Sequence, residues 1–201
     1  MSSTPTPSKT DSTALKVTIV LGAAAAVITV VRAVLRILEI APNRNVPVAA
    51  HFEIPATMPI GPGGSDVDVI ADRVILSVSD MPPITLWSLI LAEVFYAIAA
   101  VAVVLCLCLV IRNIIRGQAF SAGTVGLVGT ATLVLGVGWI LVWLFTTMGA
   151  NGGASALAGE PGLNVNAQID FTFVFALAAM GALTSAFQIG HKLQRDAEGL
   201  V

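Results

Sequence analysis

Any chemistry in this chain starts from four ionisable residues set in otherwise apolar sequence. Arg32, Arg36 and Glu39 sit in the second half of a run that begins at Val17, and Glu93 interrupts the next run. Charge inside a membrane-depth helix is costly and normally faces a protein interior or water. The three charges of the first run are spaced i, i+4, i+7, which puts them on one helical face. Counted from the run ends that flank the 41–83 connection, Arg32 is about eight residues deep and Glu93 about nine. Both depths come to ~12–14 Å at 1.5 Å per residue. Matched depth on antiparallel neighbours predicts an Arg32–Glu93 ion pair, with Arg36 reaching the interface or joining Glu39. As chemistry, this is a polar site between helices for a proton, a small ligand or a lipid headgroup. As architecture, it is a pin that sets helix register. One pair is not a relay, and no other run offers an ionisable partner, so the structural role is the expectation.

The remaining reactive residues do not assemble into a site. Cys106 and Cys108 are spaced i, i+2 and point about 200° apart on a helix, so they cannot chelate one ion together. They are expected to pack as small apolar residues. Asp66, Asp68 and Asp72 lack the central Gly and terminal Glu of a calcium-binding loop. His51 and His191 have no ligand-spaced neighbours, and His191 is expected in the headgroup region. No Ser/His/Asp arrangement, phosphate-binding loop or zinc signature occurs. No catalytic residue, metal or cofactor is therefore assigned, and a membrane enzyme stays only as a minor alternative.

The elements that hold these charges follow from hydropathy. Of 201 residues, 56% are hydrophobic and 11% charged, against about a quarter charged in a soluble domain. The chain belongs to the membrane class. Its net charge of −2 provides no basic face for nucleic acid. Four spans are predicted, at residues 17–40, 84–111, 124–148 and 171–189, each near the ~20 residues that cross a hydrocarbon core. The fold class is an all-α integral membrane protein, a four-transmembrane-helix bundle with a small β-containing extracytoplasmic loop. Residues 1–16, rich in Ser, Thr and Pro, are read as a disordered tail, and the first span as an uncleaved helix.

Lys9, Lys16, Arg112, Arg116, Lys192 and Arg195 fall on one side of these spans. The basic side is expected to be cytoplasmic. That makes the protein a multi-pass cell-membrane protein with both termini cytoplasmic, 112–123 a cytoplasmic loop and 190–201 a cytoplasmic tail. Trp87, Trp143 and Phe171 then lie near the outer interface, which suits aromatic rings. The connections 41–83 and 149–170 face out. In the first of these, the Val- and Ile-rich stretches 46–54 and 67–79 flank PIGPGGSD, which predicts a β-hairpin. Two strands alone are marginal in water, so the hairpin needs a surface to pack on. Small residues recur in the spans, with Gly126, Gly129, Gly136 and Gly138 in the third and Ala178, Ala182 and Ala186 on one face of the fourth. They suit close packing within the bundle, or dimerisation as the alternative.

Two further segments carry a pattern. One is Ile115-Arg116-Gly117-Gln118-Ala119-Phe120-Ser121. The other is Ala186-Phe187-Gln188-Ile189-Gly190-His191-Lys192-Leu193-Gln194-Arg195-Asp196. With the four-span layout, these segments resemble the bacterial membrane protein family catalogued as domain-of-unknown-function family 2975. Ala119 stands where the family often has Pro, and the long outer loop has no match in it. The resemblance implies a bacterial plasma membrane and a regulatory partner, because members are often encoded beside a small helix-turn-helix regulator. On physical grounds, Gly117 reads as a helix C-terminal cap after basic residues. Arg116, Gly117, Phe120, Phe187, Gly190, Leu193, Arg195 and Asp196 together form a candidate cytoplasmic partner surface.

The functional expectation is a non-enzymatic accessory or regulatory subunit acting through protein–protein contacts. It would sit in membrane lipid with a protein partner or as a homo-oligomer. The alternative is a small transporter, channel or ligand sensor using the intramembrane Arg/Glu site.

Overall fold

The structure is a computed structural model that describes residues 9–59, 61–159 and 171–198. Four long helices and one antiparallel hairpin make up the described residues: α1 (Lys9–Ile40), β1 (Val46–Met58), β2 (Val67–Val78), α2 (Pro83–Ile115), α3 (Ala122–Ala158) and α4 (Phe171–Glu198). A short 3-10 turn, Pro62–Gly64, lies between the strands. All four helices are long and apolar enough to cross a membrane. Their apolar side chains are also largely uncovered, with Leu21 65% exposed, Leu133 66% and Phe175 74%. Soluble proteins rarely expose apolar surface on this scale. A helix that is apolar all round suits a hydrocarbon surrounding.

The helices run further than hydropathy predicts. Residues 9–16 are helical where a disordered tail is expected, and 1–8 lie outside the described residues. The fourth helix continues to Glu198, through most of the expected tail. The third continues to Ala158, ten residues into the expected 149–170 connection, of which 160–170 lie outside the described residues. That extension, Gly149-Ala150-Asn151-Gly152-Gly153-Ala154, reads as a loop because glycine costs about 1 kcal/mol in a helix. Packing overrides the propensity. A Cβ at Gly149 would overlap the Leu89 side chain, and one at Gly152 would overlap Thr85. A Cβ at Gly153 would stand 3.3 Å from a Val48 methyl. The glycines are contact surface for α2 and β1.

Two compact units divide the chain, one of Met1–Val34, Val94–Leu141 and Asp170–Val201, the other of Leu35–Glu93 and Val142–Ile169. The second unit has a small core of its own, built from Ile40, Val46, Val48, Ala50, Val78, Met81, Leu89, Ala150 and Ala154. Every second residue at the start of β1 points into it, as a pleated strand requires. The strands pair from Val46↔Val78 to Met58↔Val67, with a bulge between His51 and Ile54. Beyond this core the ribbon is uncovered at Ile75, Val67 and Met58.

Asn43 closes the base of the hairpin. It adopts φ 53, a left-handed conformation that Asn tolerates better than most residues. Its side-chain amide donates to the Met81 carbonyl at 3.0 Å, and its side-chain oxygen accepts from the Met81 N–H at 3.0 Å. The Asn45 N–H donates to Ser79 Oγ at 2.8 Å. The chain entering the hairpin is thereby tied to the chain leaving it.

In the first unit, α4 lies antiparallel on α3 along a seam. Its seam positions are Phe173, Leu177, Met180, Thr184, Phe187 and His191, alternately four and three residues apart. Such spacing keeps one seam in register with a left-handed crossing. Trp139 stacks on Phe173 with ring centroids 4.6 Å apart. Gly136 makes room for Leu177. The Thr132 and Thr184 hydroxyls lie 2.8 Å apart, and Thr132 also donates to the Met180 carbonyl.

Candidate functional site

The charged cluster lies in the second unit, where the last turns of α1, the start of β1 and the third turn of α2 meet. Arg36 is its centre. Nη1 is 2.5 Å from Glu39 Oε2, one helical turn further along α1. Nη2 donates to the carbonyl oxygen of Pro47. Nε is 4.0 Å from Glu93 Oε1. The guanidinium offers five donors in a planar fork; it donates to Glu39 and to the Pro47 carbonyl, and its Nε faces Glu93 at ion-pair distance. Arg36 and Glu93 are half-buried, with side chains 28% and 25% exposed, whereas Glu39 is 50% exposed.

This arrangement corrects the pairing expected from sequence. The ion pair to Glu93 comes from Arg36, one turn beyond Arg32. Arg32 is exposed on α1. Depth counting fails for a physical reason. It treats both helix ends as level, but the first two turns of α2 are part of the hairpin core: Thr85, Ser88 and Leu89 are buried there. Glu93 is therefore about 15 Å along α2, whereas Arg36 is only about 6 Å from the end of α1. The Arg36–Glu39 contact allowed by the i, i+3 spacing is present. The Pro47 carbonyl has no signal in the side-chain pattern. The one available hint is proline itself, which sits at strand starts and edges because it cannot donate to a ladder.

The second group of sequence-selected residues flanks the α2–α3 connection. Gly117 takes φ 74. Its N–H bonds the Ile114 carbonyl and that of Gln118 bonds the Asn113 carbonyl, at 3.0 and 2.9 Å. These two bonds are the Schellman termination of α2. Ser121 Oγ accepts from the Thr124 N–H and caps α3. Phe120 meets Phe187 with centroids 5.6 Å apart. A Cβ at Gly190 would stand 2.5 Å from the Phe120 ring. His191 Nδ1 lies 2.6 Å from the Phe120 carbonyl oxygen. The two motifs are thus joined through Phe120, Phe187, Gly190 and His191. Arg116, Leu193, Arg195 and Asp196 are left exposed. His191 belongs to this clasp, and its isolation in sequence hid the role.

Cys106 and Cys108 are free thiols, half-buried. Gly22 of α1 approaches Cys108 and Val104, where a Cβ would stand 3.6 and 3.5 Å from their side chains. Among the described residues no group of three or more His, Cys, Asp or Glu is placed to hold a metal ion.

Fold and site together define a predominantly helical chain with four helices long and apolar enough to cross a membrane, the layout of a multi-pass membrane protein. Comparison with known proteins finds no matching family model, no similar curated protein and no similar solved structure.

Proposed function

We propose that the chain is a non-enzymatic membrane protein that acts as an accessory or regulatory subunit through protein–protein contacts. One observation carries this reading. Arg36, the charged residue best placed for ion or ligand chemistry, is engaged on three sides and ties the hairpin to α1 and α2. A transport or sensing site needs polar groups free to change partners, whereas this cluster holds an element in place. The ribbon so held exposes Ile75, Val67 and Met58 beyond its core. That exposure supports an interaction role.

The same proposal includes both termini in the cytoplasm, after the distribution of basic residues. It also includes membership of the uncharacterised bacterial family resembled by the two motifs, with the regulatory partner that membership implies. The exposed part of the partner surface is Arg116, Gly117, Phe120, Leu193, Arg195 and Asp196, with Phe187 and Gly190 packed beneath the Phe120 ring.

The test is affinity purification of the full chain from its native membrane in mild detergent, in parallel with Arg36→Gln. A second protein recovered in stoichiometric amount with the wild type supports the reading. Recovery of the chain alone, or of a homo-oligomer with no second protein, overturns the accessory role. For the orientation, Cys106 and Cys108 are replaced by Ala, and single cysteines are placed at Ser65 and Gln118. An impermeant reagent outside intact cells should label position 65 and spare 118, and the opposite pattern reverses the orientation.

A further inference from the structure

Arg32 stands outside the Arg36 cluster. It is exposed on α1, and among the described residues no group pairs with it or hydrogen-bonds to it. The helix surface around it is apolar. Ile28, one turn back on the same face, is 67% exposed, and Leu35, one turn on, is 62% exposed. Leu38, nearer the end of the helix, is 63% exposed. Apolar surface thus continues past Arg32 in both directions, on a helix long and apolar enough to cross a membrane. A guanidinium keeps its charge under all accessible conditions. At membrane depth such a charge faces a protein interior or water, and is normally paired.

Three sources of an anion are open to it. The first is lipid phosphate. The nearer headgroups lie past the exposed Leu38, six residues or about 9 Å beyond Arg32. A helical side chain tilts toward the N-terminus, which aims Arg32 away from that end. In the direction of the tilt, the start of the span at Leu15 is about 25 Å away. The second source is another copy of this chain. Copies inserted the same way have the membrane normal as their two-fold axis, so pairing through this face sets Arg32 level with its own counterpart. The acids within α1 and α2, Glu39 and Glu93, are already held by Arg36. The third source is a carboxylate on a membrane helix of a different protein. It neutralises the charge and matches the planar fork with two parallel hydrogen bonds. We propose that Arg32 is a docking residue for a transmembrane helix of a second protein that carries an Asp or Glu at the same depth. This assignment rests on the accessory role and gives that role an intramembrane contact.

The experiment uses the full chain in its native membrane, with Ile28→p-benzoylphenylalanine beside Arg32. The control carries the same photoreactive residue at Val30, 41% exposed on the opposite face. After photolysis, adducts are identified by peptide mass spectrometry. Position 28 should give a protein adduct several-fold above position 30. The captured peptide should hold Asp or Glu within an apolar run of about 20 residues. Arg32→Gln should lower the yield several-fold, and Arg32→Lys, which keeps the charge, should retain most of it. Changing the acidic residue of the captured helix to Arg should abolish the adduct, and adding Arg32→Glu should restore it. Lipid adducts alone at position 28, an adduct to a second copy of this chain, or a yield unchanged by Arg32→Gln overturns the proposal. Lipid adducts alone here, with a stoichiometric second protein in the detergent purification, remove this contact and leave the accessory role standing. No second protein in either experiment removes both.

Discussion

The guanidinium of Arg36, near the end of α1, donates to the carbonyl oxygen of Pro47, the second residue of β1. The same guanidinium faces Glu93 on α2. One side chain therefore joins two helices to the hairpin. Arg36→Gln and Glu93→Gln should each lower thermal stability in detergent, and the double variant should cost less than the sum. For half-exposed partners the coupling should be about 1 kcal/mol. Arg32→Gln combined with Glu93→Gln should be additive to within about 0.5 kcal/mol. Coupling at Arg32 with none at Arg36 would restore the pairing expected from sequence.

Gly149 and Gly152 should tolerate no side chain. Leu89 and Thr85 occupy the space a Cβ would need, and Leu89 is a core residue. Gly149→Ala and Gly152→Ala should each destabilise by about 1–3 kcal/mol through overpacking. Gly126→Ala, in open space on the same helix, should instead be neutral or stabilise by about 0.5–1 kcal/mol through helix propensity. Limited proteolysis near Ser65 separates the cases: the first two variants should be nicked faster than wild type, the third not.

Asn43 combines a left-handed backbone with two side-chain hydrogen bonds to Met81. Asn43→Ala loses both features and should cost about 2 kcal/mol. Asn43→Gly keeps the backbone freedom and loses only the bonds, so its cost should be smaller. Equal loss in the two variants would remove the backbone contribution from the account. Thermal unfolding in one detergent is a sufficient measurement.

The clasp between the motifs depends on Gly190 lying under the Phe120 ring. Gly190→Leu should displace that ring, separate His191 from the Phe120 carbonyl and speed amide exchange in residues 187–196. Thr132→Val should have a smaller effect, about 0.6 kcal/mol, as hydrogen bonds between spanning helices usually do. Faster exchange in Thr132→Val than in Gly190→Leu would place the main α3–α4 anchor mid-helix instead.

Much of this architecture can be read without coordinates. Apolar runs long enough to span announce four helices, because lipid leaves the backbone no other way to satisfy its polar groups than within the segment. Gly117 announces the end of α2, because a left-handed cap favours the residue without a side chain. The Val- and Ile-rich stretches around PIGPGGSD announce a hairpin. All of these are local signals. The partner of Glu93, the helical state of Gly149–Ala154 and the clasp at His191 are not local. Each depends on which surfaces meet: hydropathy counts depth along one helix at a time, and propensity prices a glycine without its neighbours. Arg36 reaches Glu93 because the first turns of α2 pack beneath a hairpin, and Gly152 stays helical because Thr85 needs its missing side chain. Those facts belong to packing between segments far apart in the chain, so only the folded protein holds them.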